Sequence, residues 1–219
     1  MIRYINFAIL IGCFCVVQAQ AQDLHKDIQR NQDYLAFSES YVVEFVSSHV
    51  FDDDRPNEIL GSVSVRKQGE NFQYQMSGLT SLIFPDAFLM IYHQNREMVY
   101  QKANMPRPDI SKKLEALFDM IEEVSLQKNT EQYREYKVTL INPLYDYALV
   151  QVNNKSDLLT QVQYYYSERS QGDPQYLEQR MEHKSLPGNA KPISLSKYIR
   201  ISKHDLKVQP AFDDYTLIY

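Results

Sequence analysis

Apolar and polar residues alternate along much of the chain with a period of two, which is typical of β-strands. The alternation is clearest from Tyr41 to Phe51, from Ile59 to Lys67 and from Phe72 to Met76. Polar turns at Asp52–Asn57 and Gln68–Asn71 separate these segments, and such short turns join strands that run antiparallel. The first half of the chain therefore predicts an antiparallel meander.

The rest of the chain predicts more strands of the same kind. Ser77–Pro85 is predicted to be an irregular connection because Gly and Pro interrupt it. Strand patterns then follow in these segments: Ala87–His93, Glu97–Gln101, Tyr133–Asn142, Tyr145–Val152, Leu158–Ser167 and Gln175–Lys184. The tail segment Ile193–Ile201 fits either a strand or a short helix.

Two further segments show helical spacing. Leu24–Ser38 has a weak row of apolar residues, and Ile110–Val124 has a clear row that includes Leu117 and Phe118. A sheet of this many strands must twist and coil, and helices are needed to cover its concave face. The sequence thus predicts an α+β fold, a curved antiparallel sheet (incomplete β-barrel) with helices covering the concave face. No repeat or composition break divides it, so residues 22–219 are predicted to form a single domain.

Residues 1–21 have the parts of a secretory signal peptide. Arg3 precedes the apolar run Ile5–Val17, and Ala19-Gln20-Ala21 supplies the small residues for cleavage before Gln22. Cleavage after Ala19 is a second possibility. Leu10-Ile11-Gly12-Cys13 also resembles a lipobox, whose cysteine would carry a lipid anchor. We expect an exported protein, with anchoring at Cys13 as the alternative.

Composition narrows the function classes. The net charge is −5 and the pI is about 5.6, so the chain lacks the positive field that attracts nucleic acids, and no nucleic-acid partner is expected. Cys13 and Cys15 both lie within the predicted signal peptide. The exported chain would therefore have neither a thiol nucleophile nor a thiolate metal site.

Sequence patterns for catalysis, metal binding and nucleotide binding are absent. The five histidines include no His-x-x-x-His pair, and the chain has no Gly-x-Ser-x-Gly or Gly-rich phosphate-loop motif. Adjacent acids such as Glu122-Glu123 fit solubilising charge better than a catalytic dyad. We therefore expect a protein that is not an enzyme and that uses no cofactor or metal ion.

The remaining candidates for function are apolar strand faces, on which every second residue points to the same side. Such faces can hold an acyl chain, and methionine adapts its shape to one. An ordinary packed core under the helices is the alternative interpretation. The predicted ligand-binding residues are Phe72, Tyr74, Met76, Phe88, Met90 and Tyr92, Leu117 and Phe118 of the second helix, and Tyr147 and Leu149.

The order of elements resembles the outer-membrane lipoprotein carrier superfamily, LolA and LolB. Gly69-Glu70-Asn71-Phe72-Gln73-Tyr74 looks like the family's turn and cavity-facing strand, and Pro85–Tyr100 is similar to its apolar strand and hairpin. Tyr145–Tyr166 corresponds to a later meander. Ala87 stands where the family usually has Gly, and the chain lacks the family's Trp. For the family's cavity-closing Arg there are three candidates, namely Arg66, Lys67 and Arg55.

The resemblance implies a periplasmic location and a binding role rather than catalysis. It implies a binding protein that shields an apolar ligand, lipoprotein acyl chains or another lipid, for transport across the envelope. The alternative is a non-enzymatic interaction module of an envelope or secretion assembly, with a protein partner. A monomer is expected in both cases.

Overall fold

The structure, a computed structural model, describes residues 23–53, 55–102, 120–170, 172–187, 189–202 and 205–219. A helix, α1, covers residues 23–37. The strands that follow are β1 (Ser40–Val50), β2 (Glu58–Gln68), β3 (Asn71–Met76), β4 (Leu79–Ile83), β5 (Ala87–Tyr92), β6 (Glu97–Lys102), β7 (Ile121–Asn129), β8 (Tyr133–Leu140), β9 (Tyr145–Asn153), β10 (Leu159–Tyr166), β11 (Tyr176–Lys184), β12 (Ile199–Ile201), β13 (Leu206–Val208) and β14 (Thr216–Ile218). Short 3₁₀ turns lie at Leu195–Lys197 and Pro210–Phe212.

The strands form one large open sheet and one small one. The large sheet has 12 strands in the order β14-β6-β5-β4-β3-β2-β1-β11-β10-β9-β8-β7, while β12 and β13 pair separately. Strands β2 to β6 pair antiparallel in succession, as do β7 to β11, and β14 runs parallel to β6. The predicted α+β class, an open antiparallel sheet with a helix, is confirmed.

Two predictions about elements are corrected. The connection predicted at Ser77–Pro85 contains strand β4, Leu79–Ile83, which pairs with β3 along one edge and with β5 along the other. This strand carries apolar residues on both faces, so it lacks a clear alternation. The predicted helix Ile110–Val124 lies mostly outside the described residues, but its end belongs to strand β7, Ile121–Asn129. A register shift between Ile121 and Glu123 changes the alternation there, so strand residues show a helix-like spacing.

Contacts divide the described chain into two compact units. Unit 1 contains the described residues of Met1–Phe37, Ser47–Leu60 and Asp109–Met181, and unit 2 those of Ser38–Val46, Gly61–Pro108 and Glu182–Tyr219. The single domain over residues 22–219 stays a prediction. No helix among the described residues is both long enough and apolar enough to cross a membrane.

The core of unit 1 lies between α1 and strands β7 to β10. Leu24 on the helix is 1% exposed, and Ile28 packs beside it one turn later. The sheet supplies alternate residues of each strand, as expected for a face that is covered. The buried sheet residues of this core are Val124, Tyr136, Val138, Val150 and Val152.

The buried side of α1 also carries polar residues, which hold the helix to the sheet. Asp27 is 3% exposed and accepts hydrogen bonds from Arg134 Nε and Nη2, at 3.1 and 2.9 Å, and from Tyr136 OH at 2.8 Å. Arg134 also donates to Asp157 at 2.8 Å. The carboxylate of Asp27 is thus buried with its partners in place, as a buried charge requires.

The core of unit 2 lies on one face of β4, β5 and β6, beneath residues near the end of the chain. Leu82, Leu89, Ile91 and Met98 are at most 1% exposed, and Ile193, Tyr198 and Ile199 pack on them. The covering segment is tied down by a hydrogen bond from Ile193 N to Gln68 Oε1, at 3.0 Å, and by one from Arg66 Nη2 to the carbonyl of Lys191. Strand β14 continues the sheet beyond β6.

Candidate ligand-binding site

The opposite face of the same strands in unit 2 carries the predicted residues of β3 and β5. Three rows of paired residues run across β3, β4 and β5. They are Phe72, Ile83 and Phe88, then Tyr74, Ser81 and Met90, and finally Met76, Leu79 and Tyr92. Because directly paired residues point to the same side of a sheet, these side chains form rows across three strands. We call this surface the β3–β5 face; its residues are Phe72, Tyr74, Met76, Leu79, Ser81, Ile83, Phe88, Met90 and Tyr92.

The β3–β5 face is distinct from the packed core of unit 2. Leu89 and Ile91 of β5 are buried in that core, whereas Phe88, Met90 and Tyr92 on the other side are half-buried. Met76 at the end of β3 is 40% exposed. The large apolar side chains that the sequence singled out on β3 and β5 are therefore brought together, and none of them belongs to the fully buried set.

Local contacts order the aromatic side chains of the face. The rings of Phe72 and Tyr74 stack at a centroid distance of 6.3 Å, and the Tyr92 hydroxyl lies 3.6 Å from Met90 Sδ. Burial raises the pKa of the Tyr74 phenol, so it stays neutral over the physiological pH range. The face thus presents rings, thioethers and aliphatic groups with few polar atoms.

Lys67 belongs to this face although the sequence did not select it as a ligand-binding residue. It pairs with Phe72 and is 8% exposed. Its Nζ lies 5.7 Å from the centroid of the Phe72 ring and 6.0 Å from that of Tyr41. The signal was present in the sequence, because Val63, Val65 and Lys67 alternate in phase.

The other predicted residues lie elsewhere. Leu117 and Phe118 are outside the described residues. Tyr147 and Leu149 are in unit 1, on the side of β9 that faces away from the buried Ala148 and Val150. Tyr147 stacks on Tyr165 at 4.4 Å. These residues are not brought to the β3–β5 face by any described contact, and their assignment to a ligand stays a prediction.

The tyrosine stack in unit 1 is an ordered surface of its own. Tyr165 also contacts Tyr176, with 4.9 Å between centroids, and Lys137 Nζ lies 4.4 Å from the centre of the Tyr147 ring. The pKa of Tyr165 is raised to about 12, mainly because the phenol is buried and to a smaller extent because negative charges lie nearby. Glu178 beside it is 3% exposed and is held by Arg180 at 2.6 Å.

A cleft of about 570 Å³ opens in unit 2 at the end of β3, and its lining includes Met76 of the β3–β5 face as well as Gln75, which points to the other side of the sheet. Polar residues such as Glu44, Gln75 and His93 line it together with the apolar residues Phe45, Val46, Val63 and Met76. His93 is fixed by contacts of 2.9 Å from Nε2 to Thr80 Oγ1 and 3.1 Å from Nδ1 to Tyr215 OH. These contacts hold the covering segment to the sheet, so they explain the position of His93.

Among the residues that the structure describes, no group of His, Cys, Asp and Glu side chains is placed to hold a metal ion. Acids near the predicted β1–β2 turn are paired with arginines. Asp53 contacts Arg55 Nε at 2.8 Å, and Asp52 contacts Arg169 Nη1 at 3.2 Å. The hydrogen bond from Arg55 lowers the pKa of Asp53, which is the behaviour of a surface ion pair.

Comparison with known proteins finds similar structures at low sequence identity. No protein-family model matches the chain, and no curated protein matches it significantly. A LolA superfamily protein of Nitrosomonas europaea matches with 10% identity and a TM-score of 0.28, covering 74% of this chain and 93% of the other. The Mycobacterium tuberculosis lipoprotein LppX matches with 12% identity and a TM-score of 0.42, covering 78% and 99%.

A complex of two proteins is also among the similar structures. The Pseudomonas aeruginosa MucA/MucB complex matches with 12% identity and a TM-score of 0.39, covering 76% of this chain and 59% of the other. At these identities and TM-scores the likeness assigns neither a ligand nor a partner, so function has to be argued from the residues of this chain.

Proposed function

We propose that this protein is a non-enzymatic binding protein that shields an apolar ligand, lipoprotein acyl chains or another lipid, on the β3–β5 face. One observation carries the proposal. Phe72, Tyr74, Met76, Phe88, Met90 and Tyr92 share a face that is apolar, half-buried and separate from the packed core. A contiguous apolar surface outside the core is typical of a binding site, which supports a ligand on this face.

Binding on this face would be non-covalent and reversible. Each methylene that leaves water contributes roughly 0.8 kcal/mol, so an acyl chain gains affinity in proportion to the length that the face covers. The thioethers of Met76 and Met90 adapt to chains of different shape. The neutral phenol of Tyr74 adds no charge that would have to be desolvated.

The proposed function includes a place in the cell. The signal-peptide pattern of residues 1–21 supports export to the periplasm, and the ligand would then be carried across the envelope. A lipid anchor at Cys13 is the alternative form of the same proposal. Leu117, Phe118, Tyr147 and Leu149 remain proposed ligand residues on the sequence pattern alone.

A second function, that of an interaction module, is favoured by a different surface in unit 1. Ile141 and Leu144, in the β8–β9 loop, are 65% and 63% exposed. Hydrogen bonds hold this loop in place, including Ser167 Oγ to the carbonyl of Pro143 at 2.7 Å and Leu144 N to Asn142 Oδ1 at 2.8 Å. Exposed apolar residues on an ordered loop are suited to contact a protein partner.

Mass spectrometry of organic extracts tests the first proposal. The protein is expressed from the full sequence, purified from the periplasm without detergent, and compared with a variant that carries Phe72→Ser and Met90→Ser. We expect lipid in about stoichiometric amount with the parent protein and a loss of roughly tenfold or more in the variant, because apolar contact area is removed.

Gln75→Ser is the matched control, since Gln75 lies on the same strand and points to the other side of the sheet. It should retain the lipid of the parent protein. Circular dichroism of each variant verifies that it is folded. A lipid-free extract from the parent protein would contradict the proposal and would favour the interaction module.

A further inference from the structure

The middle row of the β3–β5 face continues on the strands at both sides. Val65 of β2 pairs with Tyr74, and at the other end Met90 pairs with Val99 of β6, which pairs in turn with Ile218 of β14. Residues paired in this way point to the same side of a sheet. We call this row, which lies within unit 2, the apolar track; its residues are Val65, Tyr74, Ser81, Met90, Val99 and Ile218.

The end of the track on β6 and β14 lies on the side of the sheet away from the core of unit 2. Leu217 packs against that core and fixes β14 from the buried side. Its neighbour Ile218 points to the other side and is 47% exposed. Val99 alternates in the same way with Met98, which is fully buried in the core. Val99 and Ile218 thus extend the β3–β5 face rather than the core.

Polar residues narrow the apolar surface at this end. The row on one side of the track reaches Gln101 on β6, and the row on the other side reaches Glu97 and Thr216. Three rows of mainly apolar residues lie side by side on β3 to β5, whereas on β6 and β14 only the track is apolar. An acyl chain that extends beyond β5 therefore keeps apolar contact along a single row.

The length of the track corresponds to a long acyl chain. It crosses six strands, β2 to β6 and β14, and because neighbouring strands lie about 4.8 Å apart it spans about 24 Å. A saturated chain advances about 1.3 Å per carbon, given carbon–carbon bonds of about 1.5 Å at nearly tetrahedral angles. The track therefore matches an extended chain of about 18 carbons. Without β6 and β14 it would end after about 14 Å, the length of about 12 carbons.

We propose that the ligand is a lipid with one long acyl chain, of about 18 carbons, which lies along the track from Val65 to Ile218. Lipids with several chains of equal length fit less well, because the track on β6 and β14 accepts a single chain. This inference rests on the proposed function, since both use the β3–β5 face. It adds Val65, Val99 and Ile218 to the ligand site and names the class of lipid.

Binding of saturated fatty acids of increasing length to the delipidated protein tests the inference. The probes are dodecanoate, hexadecanoate, octadecanoate and docosanoate, each radiolabelled and kept below the concentration at which it self-associates. The affinity should rise roughly fourfold for each methylene that leaves water, up to octadecanoate. Docosanoate should bind no more tightly, because its last carbons extend past the track and stay in water.

A double variant locates the end of the track. Val99→Thr and Ile218→Thr together keep the branched side chains that strands favour, but they place hydroxyl groups in the path of the chain. Dodecanoate should bind to this variant as it does to the parent protein, whereas the advantage of octadecanoate over dodecanoate should fall by roughly tenfold or more. Ile201→Thr is the matched control, because Ile201 is 54% exposed in the separate sheet of β12 and β13.

The natural ligand tests the prediction of a single chain. Mass spectrometry of the organic extract from the parent protein should show, as the main lipid, a molecule with one acyl chain of about 18 carbons. Lipids with two chains alone in the extract, or an acylated protein that stays in the aqueous fraction, would overturn this class of ligand.

The outcomes separate this inference from the proposed function. An affinity that stops rising at dodecanoate, or that still rises from octadecanoate to docosanoate, overturns the long track and leaves the β3–β5 face as the binding site. An unchanged advantage of octadecanoate in the double variant has the same meaning. Absence of binding for every fatty acid overturns the proposed function as well. If the double variant does not fold, the length series on the parent protein still decides the question.

Discussion

Individual side chains differ in how far the sequence alone could place them. Phe72, Tyr74 and Met76 could be assigned to one face because strand alternation is a local rule, and the structure brings them to the residues of β5 as hairpin pairing requires. Lys67 was harder to place, because a charge inside an apolar alternation is usually read as the exposed end of a strand. In the structure its ammonium lies near the rings of Tyr41 and Phe72, which a local pattern could not show.

A tyrosine in unit 1 gives a prediction about alkaline pH. The pKa of Tyr165 is raised to about 12, first by burial and then by the charges around it. A tyrosine ordinarily titrates near pH 10, so the folded state holds its proton more firmly than the unfolded state does. The stability that this proton contributes is present below about pH 10 and is lost as the pH rises towards about 12.

Urea unfolding near pH 8 and near pH 11 measures this loss. In Tyr165→Phe the free energy of unfolding should fall less between the two values than in the parent protein, because the phenol is gone. Tyr219→Phe, which alters a ring that is 78% exposed, should behave as the parent protein does. An equal alkaline loss in Tyr165→Phe and its parent would contradict the assignment.

Elements are positioned by contacts that hydrophobic patterns do not show. The weak apolar row of α1 predicted the helix, but Phe37 at its end is 81% exposed, while Asp27 and Asn31 are buried. Asn31 accepts a hydrogen bond from Leu159 N at 3.2 Å, which ties the helix to β10. A buried polar residue on a helix is invisible to a search for apolar spacing, since its partners come from distant strands.

The Asp27 contacts lead to a prediction about this helix. Asp27→Asn removes the negative charge that Arg134 and Tyr136 face, while Asp157 still accepts from Arg134. We expect the free energy of unfolding to fall by about 3 kcal/mol, the usual scale for breaking a buried ion pair. Urea unfolding monitored by circular dichroism provides the measurement.

Asp23→Asn is the control on the same helix, because Asp23 is 60% exposed and contacts Lys26 at 3.6 Å. The free energy of unfolding should change by less than about 1 kcal/mol, as for other exposed pairs. If both variants lost the same small amount, the buried contacts of Asp27 would not be what holds α1 to the sheet.

Strand β7 shows how an element can be misread. Ile121, Val124 and Leu126 all pack against the core of unit 1, although the first interval is three residues and the second is two. The shift in register after Ile121 makes that possible. A spacing of three is also the signature of a helix face, so sequence alone favoured a helix through Val124.

At the scale of the whole molecule, strand order could not be derived from local patterns. The hairpin neighbours follow from short turns, but the parallel pair of β14 with β6 joins segments far apart in the chain. The same holds for the core of unit 2, whose covering residues Ile193 and Ile199 lie in a segment that fitted either strand or helix. Long-range pairing depends on the fit of whole surfaces, which a local window does not contain.

Strand β7 is the outermost strand at one end of the large sheet, and its side chains predict how the protein behaves at high concentration. Glu122 and Glu123 are exposed on this last strand, and register shifts interrupt it after Ile121 and Leu126. Charges and bulges on an outer strand hinder pairing with a second copy. We therefore expect a monomer in sedimentation experiments over a wide range of concentration.

Replacing both acids with valine, Glu122→Val and Glu123→Val, should produce association that grows with concentration. Glu131→Val is the control, because Glu131 is exposed in the turn after β7 and is not part of the strand. Association of the parent protein itself, or of the Glu131 variant to the same extent, would show that the charges on β7 do not set the oligomeric state.

The way in which unit 2 is assembled from the chain has a consequence for its folding kinetics. Its pieces are Ser38–Val46, Gly61–Pro108 and Glu182–Tyr219, so Leu89 and Met98 are buried by residues synthesised much later. Closing so long a loop costs entropy before any buried contact compensates for it, and a high contact order slows folding. Until the last segment arrives, Leu82, Leu89 and Ile91 lack the cover of Ile193, Tyr198 and Ile199, and apolar residues exposed in this way make a folding chain prone to aggregation.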